Sequence, residues 1–313
     1  MNTLTRVDRL IVTRIERPTT RVCEIHLQAA DGGELPAFAP GSNLQINAGG
    51  KWNAYSLTGL GVRPREYVIS VLRQGTGSSW LHEHLGIGTS VEVAGPENAF
   101  APDLRARRVL LVAGGIGVTP ILSYARAARF WGWEAEAIYS HSAAEGAYAD
   151  ELRELTDGAL IEVEHRDQLT AAMTDRFQNQ PLGTSAYACG PEGMIDLFTS
   201  VAVAQGWPTQ RLHSERFSAA ELDPGDPFDF RVAGDDTLHH VPAGTSLLDR
   251  LIELGHDVPY MCRQGVCGRC LISVEGGAVT HRDFVLDERE RAANDCMISC
   301  VSRGSGDGLE VVV

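Results

Sequence analysis

Cys262, Cys267 and Cys270 stand within nine residues, in Cys-Arg-Gln-Gly-Val-Cys-Gly-Arg-Cys, and Cys300 follows in Ile-Ser-Cys-Val-Ser-Arg. Thiolates at C-x4-C-x2-C…C spacing suit a plant-type [2Fe–2S] cluster. Three ligands so close need a tight loop around two irons, and Gly265 and Gly268 permit turns that a side chain would block. Peptide N–H groups of such a loop can hydrogen-bond the sulfurs and tune the potential. The alternatives fit less well. Disulfide frameworks belong to short secreted chains, and zinc ribbons favour two separated C-x2-C pairs. Cys296 competes with Cys300 for the fourth position; Cys300 is the preferred ligand, with Cys296 expected as a buried thiol. A centre that moves single electrons implies that the rest of the chain supplies them.

A second group of residues suits phosphate. Val109-Leu-Leu-Val-Ala-Gly-Gly-Ile-Gly-Val-Thr-Pro120 reads as a strand, a glycine loop and the start of a helix. Glycines let the backbone approach a pyrophosphate, and a helix N-terminus favours its charge. Pro120 suits the first helical turn. The run is Gly-Gly-x-Gly-x-Thr-Pro, not the Gly-x-Gly-x-x-Gly dinucleotide fingerprint. Ala188-Cys-Gly-Pro-Glu-Gly-Met194 ends a further strand at the carboxyl edge, where open α/β sheets bind ligands.

The elements that must position these groups fall into three textures. Leu10–Val12, Val22–Leu27 and Tyr67–Leu72 carry β-branched or alternating patterns between turn residues, which predicts an antiparallel barrel over residues 1–104. From Arg108 the texture changes. Strand-like runs at 108–113, 136–139, 161–163 and 185–189 alternate with helical spacing over 121–131 and 149–155, which predicts a parallel sheet with crossover helices over 105–222. Ser218–Pro227 is a polar, proline-containing break. Beyond it, over 223–313, come a strand at Phe228–Val232 and a helix from Ser246 that Gly255 is placed to end.

The chain of 313 residues has 43% hydrophobic and 22% charged content, ordinary for a globular protein. A net charge of −14 argues against nucleic acid. From Asp226 onward there are 15 acidic and 8 basic residues, a net of −7, which serves either solubility or steering toward a basic redox partner. No apolar run is long enough to span a bilayer. No targeting segment is visible, so no membrane role is expected and the reducing cytoplasm is the expected compartment.

Gly114-Gly-Ile-Gly-Val-Thr-Pro120, Cys189-Gly-Pro191 and Tyr55-Ser-Leu57 in the preceding barrel resemble the ferredoxin–NADP reductase superfamily. With a plant-type cluster domain at the C-terminus, the chain resembles the phthalate dioxygenase reductase family over essentially its whole length. That resemblance implies an antiparallel β-barrel flavin domain, an α/β parallel-sheet nicotinamide-binding domain and an α+β (β-grasp) ferredoxin domain. It implies FMN rather than FAD, on Gly77-Ser78-Ser79-Trp80 and Pro96-Glu-Asn-Ala-Phe100. Gly77 and Ser78 are expected to open a helix whose N-terminus holds the flavin phosphate, with Ser78 also a candidate N-cap.

By the same resemblance, Ser56, Cys189 and Glu215 line the hydride-transfer site. Asn53, Tyr55, Leu57, Ser70, Gly77, Ser78, Ser79 and Phe217 complete the flavin site, and Gly114, Gly115, Gly117, Thr119, Pro120, Gly190 and Pro191 the nicotinamide site. Core packing for Tyr55 and Phe217, a surface ion pair for Glu215 and an inert thiol at Cys189 stay open. Two residues depart from the family pattern. Asn53 stands where the family usually has an arginine, and offers a phosphate weaker neutral contacts. His141-Ser142 replaces an Arg-Ser, which favours NADH over NADPH. His281-Arg282-Asp283 reads as a structural salt bridge or a docking contact, with the structural reading preferred. The implied activity is an NADH-dependent reductase passing hydride to FMN, then single electrons through the cluster to a terminal Rieske oxygenase. The chain is expected to act as a monomer, because flavin and cluster can meet within it. An FAD-dependent reductase serving a diiron monooxygenase or epoxidase is the alternative of like architecture; a redox sensor and a stand-alone flavin reductase are the others.

Overall fold

The computed structural model describes residues 7–216, 223–260, 263, 265 and 268–313. The chain divides into two compact units, Met1–Phe217 and Ser218–Val313. Among the described residues the strands form three sheets.

The first sheet comprises β1 (Val7–Glu16), β2 (Val22–Ala29), β3 (Ser42–Ala48), β4 (Lys51–Ser56), β5 (Tyr67–Leu72) and, after helix α1 (Gly75–His84), β6 (Ser90–Asn98). Their order is β4-β3-β6-β1-β2-β5, with antiparallel pairing throughout. The sheet curls until its two edge strands meet at an antiparallel bridge between Leu57 and Ile69. This is the barrel that the alternating patterns predict. Val12, Ile25, Leu27, Leu44, Ile46, Leu57 and Ile69 fill its interior, each contributing about 1.5–3 kcal/mol of burial. On β2 the alternation puts Cys23, Ile25 and Leu27 inside and turns Glu24 and His26 to the other face, which is also covered.

The second sheet is parallel. It is built from β7 (Arg108–Gly114), α2 (Val118–Trp131), β8 (Glu134–Ser140), α3 (Ala149–Leu155), β9 (Leu160–Val163), α4 (Arg166–Gln178), β10 (Thr184–Gly190), α5 (Glu192–Ala204) and β11 (Leu212–Arg216). The order β11-β10-β7-β8-β9 reverses direction between β10 and β7. β7 is apolar on both faces for a reason. Val109, Leu111 and Ala113 pack with Ile121 and Tyr124 of α2, while Leu110 and Val112 pack with Met173 of α4 and Phe198 of α5.

In the second unit β12 (Phe228–Val232), β13 (His239–Val241), α6 (Leu247–Glu253), β14 (Leu271–Thr280), α7 (Glu288–Ala293), β15 (Cys296–Ile298) and β16 (Arg303–Val312) build a sheet of order β13-β12-β16-β14-β15. The one parallel pair described in it is β12 with β16, and α6 buries Leu247, Leu248 and Leu251 in the core beneath. Ser246 caps α6 through Asp249 N–H, and Gly255 follows with φ +89°. Arg303, 6% exposed, donates to the carbonyls of Asp226, Pro242 and Thr245 and lies over the Phe228 ring. It ties the start of the unit to its last strand.

Candidate redox and nucleotide site

β7 ends at Gly114, and a single tight turn over Gly115–Gly117 leads into α2. The turn lies where the strand order reverses, beside the end of β10. Contact there is backbone on backbone. A Cβ on Gly117 would stand 2.2 Å from the Cys189 carbonyl oxygen, and one on Gly114 would meet Met194 Sδ at 2.6 Å and Pro191 Cδ at 2.9 Å. Gly114, Gly117, Cys189, Gly190 and Pro191 are therefore brought together, as the two motifs require. Gly115 faces the other way: φ is +53°, and a side chain there would meet no atom within 4 Å. Thr119 Oγ1 donates to Ile116 O at 3.1 Å, and Tyr139 OH donates to Gly115 O at 3.2 Å, so the turn is braced from both sides. Thr119 and Pro120 are buried in the first turn of α2.

Cys189 is fully buried and sits in register with Ala113 on one side and Glu215 on the other. Burial, and then the Glu215 carboxylate, push its thiol well above the ordinary cysteine range. Both effects favour the protonated, neutral thiol over the thiolate. At the carboxyl edge next door, His141 Nε2 lies 3.0 Å from Glu162 Oε2, and Arg153 also pairs with Glu162.

Across the same unit, Ser56 ends β4. It is 3% exposed, and its Oγ has no hydrogen-bond partner among the described residues. Leu57, next along, is barrel core. Tyr55 packs against that core, where burial pushes its phenol up to about 12. The Asn53 amide fills the space a Gly77 side chain would need, with Nδ2 2.5 Å from the built Cβ. α1 opens at Gly75, two residues before the expected start, and Gln74 is its N-cap. Ser78 is thus inside the first turn and is not the cap: its Oγ accepts from Gln74 N–H at 2.8 Å and donates to Gln74 O. Ser79 is half-buried on the same helix. Asn98 of the Pro-x-Asn-x-Phe run holds Pro40 O, Ser42 Oγ and Phe100 N–H, while Phe100 packs edge-on against Tyr124 and Tyr187.

In the second unit Cys262 and Cys267 lie outside the described residues, as does Phe217 of the first. Cys270 and Cys300 are buried. The Cys270 carbonyl accepts from both N–H (3.0 Å) and Oγ (2.9 Å) of Ser299, which seats Cys300 beside it. Cys296 pairs with Ser273, three residues along β14 from Cys270. It is half-buried, not buried as expected, because the exposed turn that carries Asp295 leads into it. Burial and then the neighbouring Asp295 carboxylate raise its thiol, which disfavours a thiolate there. Gly265 and Gly268 both have φ +73°, so the loop uses glycine where the spacing calls for it. Asp283 is buried and accepts from the N–H groups of Val285 and Leu286, with His281 3.7 Å away.

Met194 closes the second motif, but Glu24 and Tyr148 belong to no motif. Met194 packs under Gly114, and Glu24 and Tyr148 meet Ser70: Ser70 Oγ lies 2.5 Å from Tyr148 OH, which donates to Glu24 Oε2 at 2.7 Å. The polar residues in an otherwise apolar Val22–Leu27 strand are the one hint of this cluster in the sequence.

Comparison with known proteins agrees with this arrangement. Residues 88–212 match the family described as dimethylamine monooxygenase subunit DmmA-like, N-terminal domain, and residues 230–304 match the 2Fe-2S iron-sulfur cluster binding domain. The chain is 38% identical over 298 residues to the heme-dependent oxidative N-demethylase beta subunit of Ectopseudomonas mendocina, covering 94% of this chain and 95% of that one. It is 32% identical over 312 residues to phthalate dioxygenase reductase of Burkholderia cepacia, covering 96% of each. A solved phthalate dioxygenase reductase, described as a modular structure for electron transfer from pyridine nucleotides to [2Fe-2S], superposes with a TM-score of 0.81 at 29% identity over 98% of both chains. The chain belongs to the phthalate dioxygenase reductase family: it is an oxidoreductase with a [2Fe–2S] ferredoxin domain, the electron-transferring reductase component of a multicomponent oxygenase system.

Proposed function

We propose that the chain draws electrons from NADH through a bound FMN and a [2Fe–2S] cluster and delivers them singly to a separate terminal oxygenase of the Rieske type. When bound, the flavin exchanges a hydride for two one-electron steps and the cluster carries one electron at a time. The observation that carries this reading is the backbone contact of Gly117 with Cys189 at the switch point of a parallel sheet, in one chain with an iron–sulfur domain.

The residues fit such cofactors. The Gly114–Gly117 turn and the α2 N-terminus offer N–H groups to a pyrophosphate. The α1 N-terminus beside Asn53 offers a neutral phosphate site, and the buried Ser56 hydroxyl supplies a hydrogen bond that a flavin ring edge would complete. Cys189 keeps its proton and presents a small, neutral surface next to Glu215. Tyr55, Leu57, Ser70, Ser78, Ser79 and Phe217 frame the flavin, Thr119, Pro120, Gly190 and Pro191 the nicotinamide, and Cys262, Cys267, Cys270 and Cys300 hold the iron. Glu162 stands at the carboxyl edge where a 2′-phosphate would meet its charge, and Arg153 is already paired to it and to Asp150. That favours NADH.

Extraction and chromatography of the flavin tests the cofactor: FMN is expected, and FAD would overturn the assignment. A haem partner is a second reading, supported by the 38% identity to a haem-dependent oxidative N-demethylase subunit. Co-purification of the natural partner decides between them by its absorption, a Soret band for haem or a Rieske-type spectrum.

A further inference from the structure

The bridge between Leu57 and Ile69 sets Ser56 opposite Ser70, since antiparallel strands step one residue each way. Ser70 in turn pairs with Glu24 across β5 and β2. A row of polar side chains therefore crosses the outer face of the barrel, and Tyr148, at the start of α3, closes over it. The distances run on without a break from Ser70: Ser70 Oγ to Tyr148 OH 2.5 Å, Tyr148 OH to Glu24 Oε2 2.7 Å, Glu24 Oε1 to His26 Nε2 2.9 Å, and His26 Nδ1 to Glu66 Oε2 3.3 Å. His26 is 3% exposed, whereas the Glu66 side chain is 41% exposed. The connected row thus begins at the buried Ser70 hydroxyl and ends in water. An apolar lining would have been the cheaper way to cover this face, because buried polar groups cost free energy unless satisfied.

We propose that Ser70, Tyr148, Glu24 and His26 form a proton-exit path from the hydride-accepting cofactor to solvent at Glu66. The inference rests on the flavin reading above. A hydride brings one proton and two electrons. Once both electrons have passed singly to the iron–sulfur centre, the proton is left behind in a buried site and must reach water. In the path, Ser70 takes that proton and gives its own to Tyr148, and Tyr148 gives to the Glu24 carboxylate. Glu24 passes it to His26 Nε2 as His26 Nδ1–H is donated to Glu66, so one proton enters and one leaves.

The surroundings suit relay by exchange. Burial holds the Tyr148 phenol far above its ordinary range, with Ser70 and the Arg126 charge pulling it partly back, so Tyr148 serves as a hydroxyl and is not a standing base. Arg14, 3.1 Å from His26 Nδ1, is itself paired with Glu16, and Arg126 with Glu151. Both tautomers of His26 consequently find partners: Nδ1 accepts from Arg14 in one, and donates to Glu66 in the other.

The test uses FMN- and cluster-loaded full-length protein and the variants Tyr148→Phe and His26→Ala. Three readouts are taken: FMN affinity of the flavin-free protein by fluorescence, flavin bleaching on mixing with NADH, and proton release to an indicator dye when pre-reduced protein is oxidised by ferricyanide. Affinity and bleaching are expected within about twofold of wild type. Proton release is expected to slow at least about tenfold, with a larger solvent deuterium effect, and added imidazole is expected to restore it in His26→Ala. Proton release at the wild-type rate in both variants would overturn the path. If Tyr148→Phe loses FMN, His26→Ala decides alone: slowed release with imidazole rescue supports the path, and wild-type release, or slowing that imidazole leaves untouched, refutes it. Failure of the wild-type protein to bleach with NADH would sink the flavin reading instead.

Discussion

Gly117→Ala isolates the contact on which the nucleotide site is built. Gly117 has φ −59° and ψ −7°, values any residue adopts, and alanine is the better helix former. Backbone conformation therefore does not oppose the change; only space does. The new methyl would stand 2.2 Å from the Cys189 carbonyl oxygen, 2.5 Å from its carbon and 2.8 Å from Gly190 N, against the roughly 3.5–4.0 Å of a relaxed contact. All three are backbone atoms of a strand paired on both sides, with β7 and β11, so no side chain can rotate away. Overpacking costs about 1–3 kcal/mol, and rigid neighbours put this case near 3. For a unit of this size each kcal/mol lowers Tm by about 2–4 °C, so calorimetry should show a fall of about 6–12 °C. The turn must shift by about an ångström or more to relieve the clash, and kcat/KM for NADH with ferricyanide should fall by about 10²-fold. Gly115→Ala is the contrast. Its φ of +53° costs about 1–2 kcal/mol, but no atom obstructs the methyl, so its effect should fall on nucleotide affinity more than on Tm. A Gly117→Ala protein that unfolds and turns over like wild type would refute the reasoning.

Other outcomes follow from the same geometry. Ser56→Ala should slow NADH-driven flavin reduction while raising the Tm of flavin-free protein, because it removes a buried unpaired hydroxyl whose cost is about 1–3 kcal/mol; a lowered Tm would count against that account. Cys270→Ser should abolish NADH-dependent cytochrome c reduction yet leave NADH-dependent flavin bleaching, read by stopped flow. The Cys189 thiol keeps its proton in the folded chain beyond the pH at which the unfolded thiol loses it. The folded state then binds more protons than the unfolded one, and stability should drop as pH rises above about 9. Denaturant melts at pH 8 and 10 should show that drop, and Cys189→Ala should show less of it. NADH should exceed NADPH in kcat/KM, and Glu162→Gln should narrow the gap, since it removes the charge a 2′-phosphate would meet.

What the sequence makes legible is whatever local chemistry dictates. α3 covers Ala149–Leu155, the residues its apolar spacing marks, and the glycine run after β7 meets Cys189-Gly-Pro191 because a parallel sheet brings its carboxyl ends together. α1 was harder. The motif puts the helix start at Gly77 and Ser78, whereas the bond from Ser78 back to Gln74 belongs to a helix already begun at Gly75, a geometry that spacing cannot announce. Cys296 is apolar by residue type, but its exposure depends on the acidic turn before β15. The cluster at Ser70 was out of reach for a different reason. It needs the Leu57–Ile69 closure and the approach of Tyr148, which lies 78 positions from Ser70, and neither is a property of any short stretch of chain.

Anaerobic titration of iron-, sulfide- and FMN-reconstituted protein with NADH, followed by absorbance and low-temperature electron paramagnetic resonance, bears most directly on the electron path. Flavin bleaching together with the signal of a reduced [2Fe–2S] centre is the predicted result. A protein that takes up FMN and iron, yet shows neither bleaching nor a paramagnetic iron signal on addition of NADH, would contradict it.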